Sequence, residues 1–194
     1  MTSNPNPEID IHDCVPSSHS KNSISGFGSN TIRLFREDDW EAVWQILSPI
    51  LSEGETYTFS PSTTQEEAYR LWIILPQETY VSTDTKGAIV GTYYIKPNQP
   101  ALGAHICNCG YMVSPQYRGR GIAKTLCLHS LSRAKVLGFR GMQFNAVVST
   151  NMIAVKLWYS LGFAKIGTTP KGFYSKTNGY VDSYMMFKDL ITGD

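Results

Sequence analysis

The sequence predicts an α+β fold: a mixed, mostly antiparallel sheet of about seven strands with four helices, in the order β-α-α-β-β-β-α-β-α-β-β. Three observations predict it. Short β-branched and aromatic runs bounded by turn residues mark strands. Stretches with apolar residues at helical spacing mark helices. Antiparallel hairpin junctions sit beside one strand–helix–strand crossover of the right length for a parallel pair.

The elements follow in order. Residues 1–30 are rich in Asn, Ser, Pro and Gly without periodicity and read as a flexible tail, leaving 31–194 as a single domain. Thr31–Phe35 is a strand. Asp38 or Asp39 is the expected N-cap of a helix carrying Trp40, Val43, Trp44, Leu47 and Leu51 at helical spacing and stopped by Gly54. Glu55–Pro61 is a loop. Thr63 or Thr64 caps a second helix, with Glu66 and Glu67 in its first turn, which ends near Leu75 before Pro76. Tyr80–Thr83 and Ala88–Ile95 flank a turn at Asp84–Gly87; Pro97–Pro100 is a loop, and His105–Val113 is a third strand of this group. Gly119–Leu137 reads as a helix with Ile122, Leu126, His129, Leu131 and Val136 as contacts and Gly138 as stop. A strand at Gly141–Val148, a helix at Thr150–Leu161 stopped by Gly162, and strands at Phe163–Gly167 and Tyr180–Lys188 complete the order.

Composition excludes several function classes. The 194 residues are 42% hydrophobic with a formal net charge of +1, and no basic stripe interleaves with aromatics, so nucleic acid is not an expected partner. No apolar run approaches the roughly 20 residues that span a bilayer, and Glu8, Asp10 and Asp13 interrupt any signal-peptide pattern. Cys14, Cys107, Cys109 and Cys127 lack a CxxC spacing, which reads as buried free thiols in a reducing compartment rather than a metal site. The expected location is the cytoplasm.

The most informative segment runs from Met112 to Ala123, from strand through turn to helix. Gly119 and Gly121 permit backbone angles barred to other residues and close approach by a ligand. The unpaired N–H groups of the following helix, with its dipole, form a cradle for phosphate, and Arg118, Arg120 and Lys124 add charge. The spacing fits neither a P-loop nor a dinucleotide fingerprint. Gln116-x-x-Gly119-x-Gly121 resembles the Q/R-x-x-G-x-G/A motif of the GNAT acetyltransferases. The resemblance implies a GNAT fold, acetyl-CoA as co-substrate without a metal, and backbone contacts from Arg118, Gly119, Arg120, Gly121, Ile122 and Ala123 to its pyrophosphate. It also implies that the preceding strand, at Met112 and Val113, pairs with the pantetheine arm.

A second motif agrees. Asn151-x-x-Ala154-x-x-Leu157-Trp158-x-x-x-Gly162-Phe163 is similar to the N-x-x-A-x-x-L-Y-x-x-x-G-F segment of that family, in which the Asn holds the CoA arm and the Tyr often protonates the leaving thiolate. Asn151 matches. Trp158 replaces the Tyr, and an indole has no proton to give near neutral pH. Tyr159 lies about 100° round the helix from it.

A narrower resemblance rests on Gly91–Asn98, His105-x-Cys107-Asn108-x-Gly110, Phe144-Asn145 and Gly54-x-Thr56-Tyr57. It is to the yeast proline-analogue resistance acetyltransferases, which acetylate azetidine-2-carboxylate and related cyclic imino acids. It implies that Asn108 and Asn145 bind substrate and support turnover, with Tyr57 on the substrate side. An Asn amide can donate to a carboxylate and accept from an amine without a charge to desolvate. Strand alternation puts His105, Cys107 and Cys109 opposite Asn108. His105, Glu53, Glu55 and Tyr57 are candidates around the acceptor, and an N–H near Val113 is the expected oxyanion donor. Alternatives are another amine (a polyamine, drug or protein N-terminus), a non-catalytic acyl-CoA-binding module, or a nucleotide site. A homodimer is expected only by analogy with the family.

Overall fold

Seven strands form in the computed structural model, which describes residues 30–191. They are β1 (Thr31–Leu34), β2 (Glu78–Thr83), β3 (Ile89–Pro97), β4 (Ile106–Val113), β5 (Gly141–Val148), β6 (Ala164–Ser175) and β7 (Gly179–Asp189). The tail expected over residues 1–30, all but its last residue, and Cys14 lie outside the described residues. The helices are α1 (Trp40–Glu53), α2 (Gln65–Tyr69), α3 (Ile122–Val136) and α4 (Met152–Ser160). One sheet runs β1-β2-β3-β4-β5-β7-β6, antiparallel except for β4 beside β5. The expected fold class and the parallel crossover are both present.

Two apolar layers flank the sheet. Val43, Leu47 and Ile50 of α1 and Ala68 of α2 pack with Trp72 on one face, against Val81, Tyr94 and Met112. Leu126 and Leu131 of α3 and Val155 and Trp158 of α4 pack on the other, against Tyr93, Ile95, Cys107 and Cys109. Side-chain alternation along each strand sorts the residues between the layers. Cys107, Cys109 and Cys127 are buried and free.

Several boundaries depart from the sequence expectation. Asp39 precedes α1, but its carboxylate does not cap it; it takes the Arg36 N–H at 2.7 Å and both arms of the Arg33 guanidinium at 2.6 and 2.8 Å. Thr64 does cap α2, in a reciprocal box with Glu67. That helix then widens into a π turn at Arg70–Ile74, which seats the Trp72 indole on Thr92 Oγ1 at 3.1 Å. Val136 was an expected contact of α3, yet it is 73% exposed. The strand expected to end at Gly167 runs on to Ser175. A register shift between Thr169 and Phe173 absorbs Pro170 and Gly172, with Lys171 in the left-handed region and its N–H on Asp182 at 2.9 Å.

Candidate active site

The site begins where the sheet opens. Ser114 N–H donates to Val90 O at 3.0 Å, Asn98 N–H to Ile106 O at 2.8 Å, and Arg140 N–H to His105 O at 2.8 Å. These bonds fix the alternation of β4: even-numbered residues turn their peptide groups to β3, odd-numbered ones to β5. Yet β4 and β5 pair only at Ile106 with Gly141 and Cys107 with Met142. Beyond that they diverge, and β5 bulges between Phe144 and Val147. Cys109, Tyr111 and Val113 therefore turn their peptide groups into a wedge with no strand opposite.

Side chains fill part of the gap. Asn108 Nδ2 donates to Gln143 O at 2.9 Å, replacing the next ladder bond. The Tyr57 hydroxyl, arriving from the loop after α1, donates to Tyr111 O at 2.6 Å and accepts from Tyr111 N–H at 2.8 Å. Burial pushes the Tyr57 phenol well above its ordinary value, so it stays protonated. Met112, one of the two residues expected to pair with a ligand arm, does not fit that role. Its peptide groups face β3 and its side chain is 1% exposed in the α1 layer. Tyr111 and Val113 are the residues facing the wedge.

At the upper end, β4 runs into a 3-10 turn at Pro115–Tyr117 and then the glycine turn. Gly119 and Gly121 have φ of 78° and 77°, a conformation a Cβ would strain. Gly121 thus sits at the N-cap, and α3 starts at Ile122 rather than at Gly119. No side chain caps the helix, so its first N–H groups stay open to the cavity. Tyr117 braces the turn: its hydroxyl donates to Asp84 Oδ2 at 3.2 Å and the Arg120 guanidinium lies 4.8 Å from its ring. Asn151 Oδ1 accepts from Ala154 N–H at 3.2 Å, which caps α4 and leaves its amide N–H groups available.

At the lower end stand Asn108 and Asn145, lining the same cavity of about 720 Å³ as Arg118, Gly119, Gly121, Ile122, Ala123 and Asn151. Asn108 Oδ1 accepts from the Tyr94 hydroxyl at 3.1 Å. Gly110 leaves room for that ring, since a Cβ there would come within 2.5 Å of it. Asn145 donates to Asn98 Oδ1 at 2.7 Å and accepts from Gln143 Nε2 at 3.0 Å. The two amides face one cavity but are held by different partners, and each keeps one N–H and one lone pair free.

Among the base candidates, His105 is exposed, outside the cavity wall and against Leu102 O at 3.2 Å. Glu55 is tied to Ser175 Oγ at 2.6 Å and to the Thr177 N–H and hydroxyl at 3.0 and 3.1 Å, an arrangement that lowers its pKa. It fastens the β6–β7 turn to the loop after α1. Glu53 lines the cavity, 3.7 Å from Arg118. Trp158 packs on Phe144 and Tyr111, ring centroids 4.8 and 5.3 Å away. Sequence reasoning missed Tyr94 and Lys96 as cavity residues; alternation puts the two on one face of β3, but only the pairing of Lys96 with Asn108 shows that this face is the cavity's.

A model of the Acetyltransferase (GNAT) family matches residues 40–163. The chain belongs to the GNAT family. It is 34% identical over 148 residues to the N-acetyltransferase aca1 of Schizosaccharomyces pombe, covering 68% of this chain and 71% of that protein. A GCN5-related N-acetyltransferase from Kribbella flavida superposes with a TM-score of 0.80 at 41% identity, covering 83% of this chain and 98% of the other. A phosphinothricin acetyltransferase from Sinorhizobium meliloti, solved with acetyl-CoA, shares the fold at a TM-score of 0.73 and 22% identity, covering 84% and 89%. This GNAT protein is an acetyl-CoA-dependent N-acetyltransferase. Its residues fit that co-substrate: a glycine turn with uncapped helix N–H groups for the pyrophosphate, leading into a wedge lined by strand peptide groups.

Proposed function

We propose that this enzyme acetylates a small cyclic imino acid of the proline type, such as azetidine-2-carboxylate, and so removes proline analogues in the cytoplasm. One observation supports the reading above the others. The amides of Asn108 and Asn145 face the cavity that opens, at its other end, onto the glycine turn, and each has hydrogen-bonding capacity left over.

Acetyl-CoA supplies an acyl carbon activated as a thioester. The chain's own groups do the rest. Arg118 through Ala123 hold the pyrophosphate, Val113 and Asn151 hold the arm, and a β4 N–H facing the wedge stabilises negative charge on the acyl oxygen. Asn108 and Asn145 orient the acceptor. Glu53, the one carboxylate on the cavity wall among the described residues, stands at the Arg118 end and takes the ammonium proton through water. Nitrogen bonds to the acyl carbon, the carbon–sulfur bond breaks with its electron pair leaving on sulfur, and the proton still on nitrogen passes through water to the thiolate. Trp158 cannot protonate it. The Tyr57 ring borders the acceptor; its hydroxyl, which sits on Tyr111 in the ligand-free enzyme, gives way to the arm.

Thiol release from acetyl-CoA, measured across azetidine-2-carboxylate, proline analogues, spermidine and a lysine peptide, tests the reading. Fast release with the imino acids alone supports it; release with spermidine or the peptide instead replaces the acceptor. Asn145→Ala should cut turnover far more than acetyl-CoA binding.

A further inference from the structure

Charge is sparse on the cavity wall. Among the described residues it holds Glu53, Lys96, Arg118 and Lys124. Arg118 and Lys124 belong to the glycine turn and the first turn of α3, and Arg118 faces Glu53 at 3.7 Å. Lys96 is then the cation of the Asn108 end. It is half-buried and makes no ion pair among the described residues. It stands opposite Asn108 in the β3–β4 register. Its Nζ lies 5.4 Å from the centroid of the Tyr94 ring, whose hydroxyl donates to Asn108 Oδ1 at 3.1 Å. Ammonium, aromatic face and amide thus form one connected patch.

Lys96 lines the cavity with an aromatic face beside its ammonium and no carboxylate paired to it among the described residues. An anion delivered by the ligand supplies the missing partner. We infer that Lys96 is the anchor for a carboxylate on the acceptor, so that this enzyme selects amino or imino acids over amines that carry no acid group. The inference rests on reading this end of the cavity as the acceptor site. It separates acceptors that the fold alone does not: the ammonium repels a polyamine and gives a peptide lysine nothing to pair with. Asn108 beside it, with a free N–H, supplies the second donor to the carboxylate, and Asn145 is left for the nitrogen.

The test pairs each acid with its neutral amide: azetidine-2-carboxylate with its carboxamide, and L-proline with L-prolinamide. Thiol release gives kcat and KM, and calorimetric titration into the protein saturated with CoA gives binding without turnover. Lys96→Met keeps the aliphatic stem on Tyr94 and removes the charge. Losing a charge-assisted hydrogen bond should raise the acid's KM, or Kd, about 10- to 100-fold. The carboxamide and acetyl-CoA constants should stay within about twofold, and Lys96→Arg should restore part of the preference. If the acids bind the CoA complex in a Lys96-dependent way but are not acetylated, the anion site stands and the imino-acid reading falls. If the wild type treats acid and carboxamide alike, if neither binds, or if Lys96→Met weakens both equally, the anchor is overturned, while thiol release with any amine still supports the acetyltransferase.

Discussion

Replacing Tyr57 with Phe should weaken the empty enzyme and tighten its hold on acetyl-CoA. The hydroxyl occupies both peptide groups of Tyr111, at 2.6 and 2.8 Å, in the part of the wedge that β5 leaves open. Each bond is worth about 1 kcal/mol net. The wedge opens onto the cavity, so water can replace the lost hydroxyl, and the expected loss of stability is about 1–2 kcal/mol, well short of a dry orphaned pair. A ligand arm that pairs with β4 must take those same groups and displace the hydroxyl in the wild type. In Tyr57→Phe it displaces only water. Acetyl-CoA affinity should therefore rise about 5- to 30-fold, the equivalent of the stability lost. Urea unfolding of the ligand-free protein reads the first effect, and calorimetric titration with acetyl-CoA the second. A fall in acetyl-CoA affinity would refute the reasoning, because it would make the hydroxyl a fixed part of the ligand's site rather than its occupant.

Gly119→Ala places a Cβ at φ 78° in a loop with open space around it, so the cost is backbone strain of about 1–2 kcal/mol, seen as a higher KM for acetyl-CoA with little change in the acceptor's KM. Thr56 Oγ1 is buried in the cavity wall without a partner among the described residues; Thr56→Val should raise the ligand-free melting temperature by an amount corresponding to about 1 kcal/mol, and a fall would show that the hydroxyl is satisfied. Asp39 is held below the usual carboxylate range, first by its hydrogen bonds to Arg33. A depressed folded-state pKa gives stability that is present above the unfolded value of about 4 and is lost as pH falls through the folded value. Asp39→Asn should therefore destabilise the protein at neutral pH, by about 1–2 kcal/mol for this partly exposed pair, and the deficit should shrink below about pH 4 in pH-resolved urea melts.

Local chemistry was legible in the sequence and distant chemistry was not. Gly54, Gly138 and Gly162 stop their helices in the left-handed conformation that glycine alone adopts cheaply, and the Thr64 box needs only residues three apart. The strand-to-helix glycine turn was visible for the same reason. Alternation alone placed Cys107 and Cys109 on the face opposite Asn108. Asp39 misled because its side chain has a partner six residues back that outbids the helix N–H groups. The second half of β6 was hidden by Pro170 and Gly172, residues that an edge strand tolerates where it bulges. Tyr57 and Tyr111 are 54 positions apart, so no periodicity could join them. Lys96 needed the register of β3 on β4 before its face had any meaning.

The site arises from a failure of sheet pairing that the sequence arranges. A parallel pair begun at Ile106 and Gly141 would satisfy Tyr111 and Val113 if it continued, and the protein would then have no cavity there. The pair is stopped from both sides. Asn108 spends its amide on Gln143 O and so takes the next rung of the ladder, while the bulge between Phe144 and Val147 carries β5 away. Tyr57 then covers Tyr111 from a loop that is itself pinned by Glu55 to Ser175 and Thr177, while Lys176 Nζ holds the end of α1 at Ser52 O at 2.6 Å. The peptide groups facing the wedge are strong hydrogen-bonding partners held on a rigid strand, so an arm that pairs with them has the Tyr57 hydroxyl to displace but no strand to rebuild. Asn108 thus has two duties, holding the wedge open and facing the acceptor. Asn108→Ala should accordingly differ in kind from Asn145→Ala: it should raise the acetyl-CoA Kd as well as lower turnover, because closing the wedge removes the arm's place. Equal acetyl-CoA affinities for the two variants would show that β5 stays apart without Asn108, and that the bulge alone opens the site.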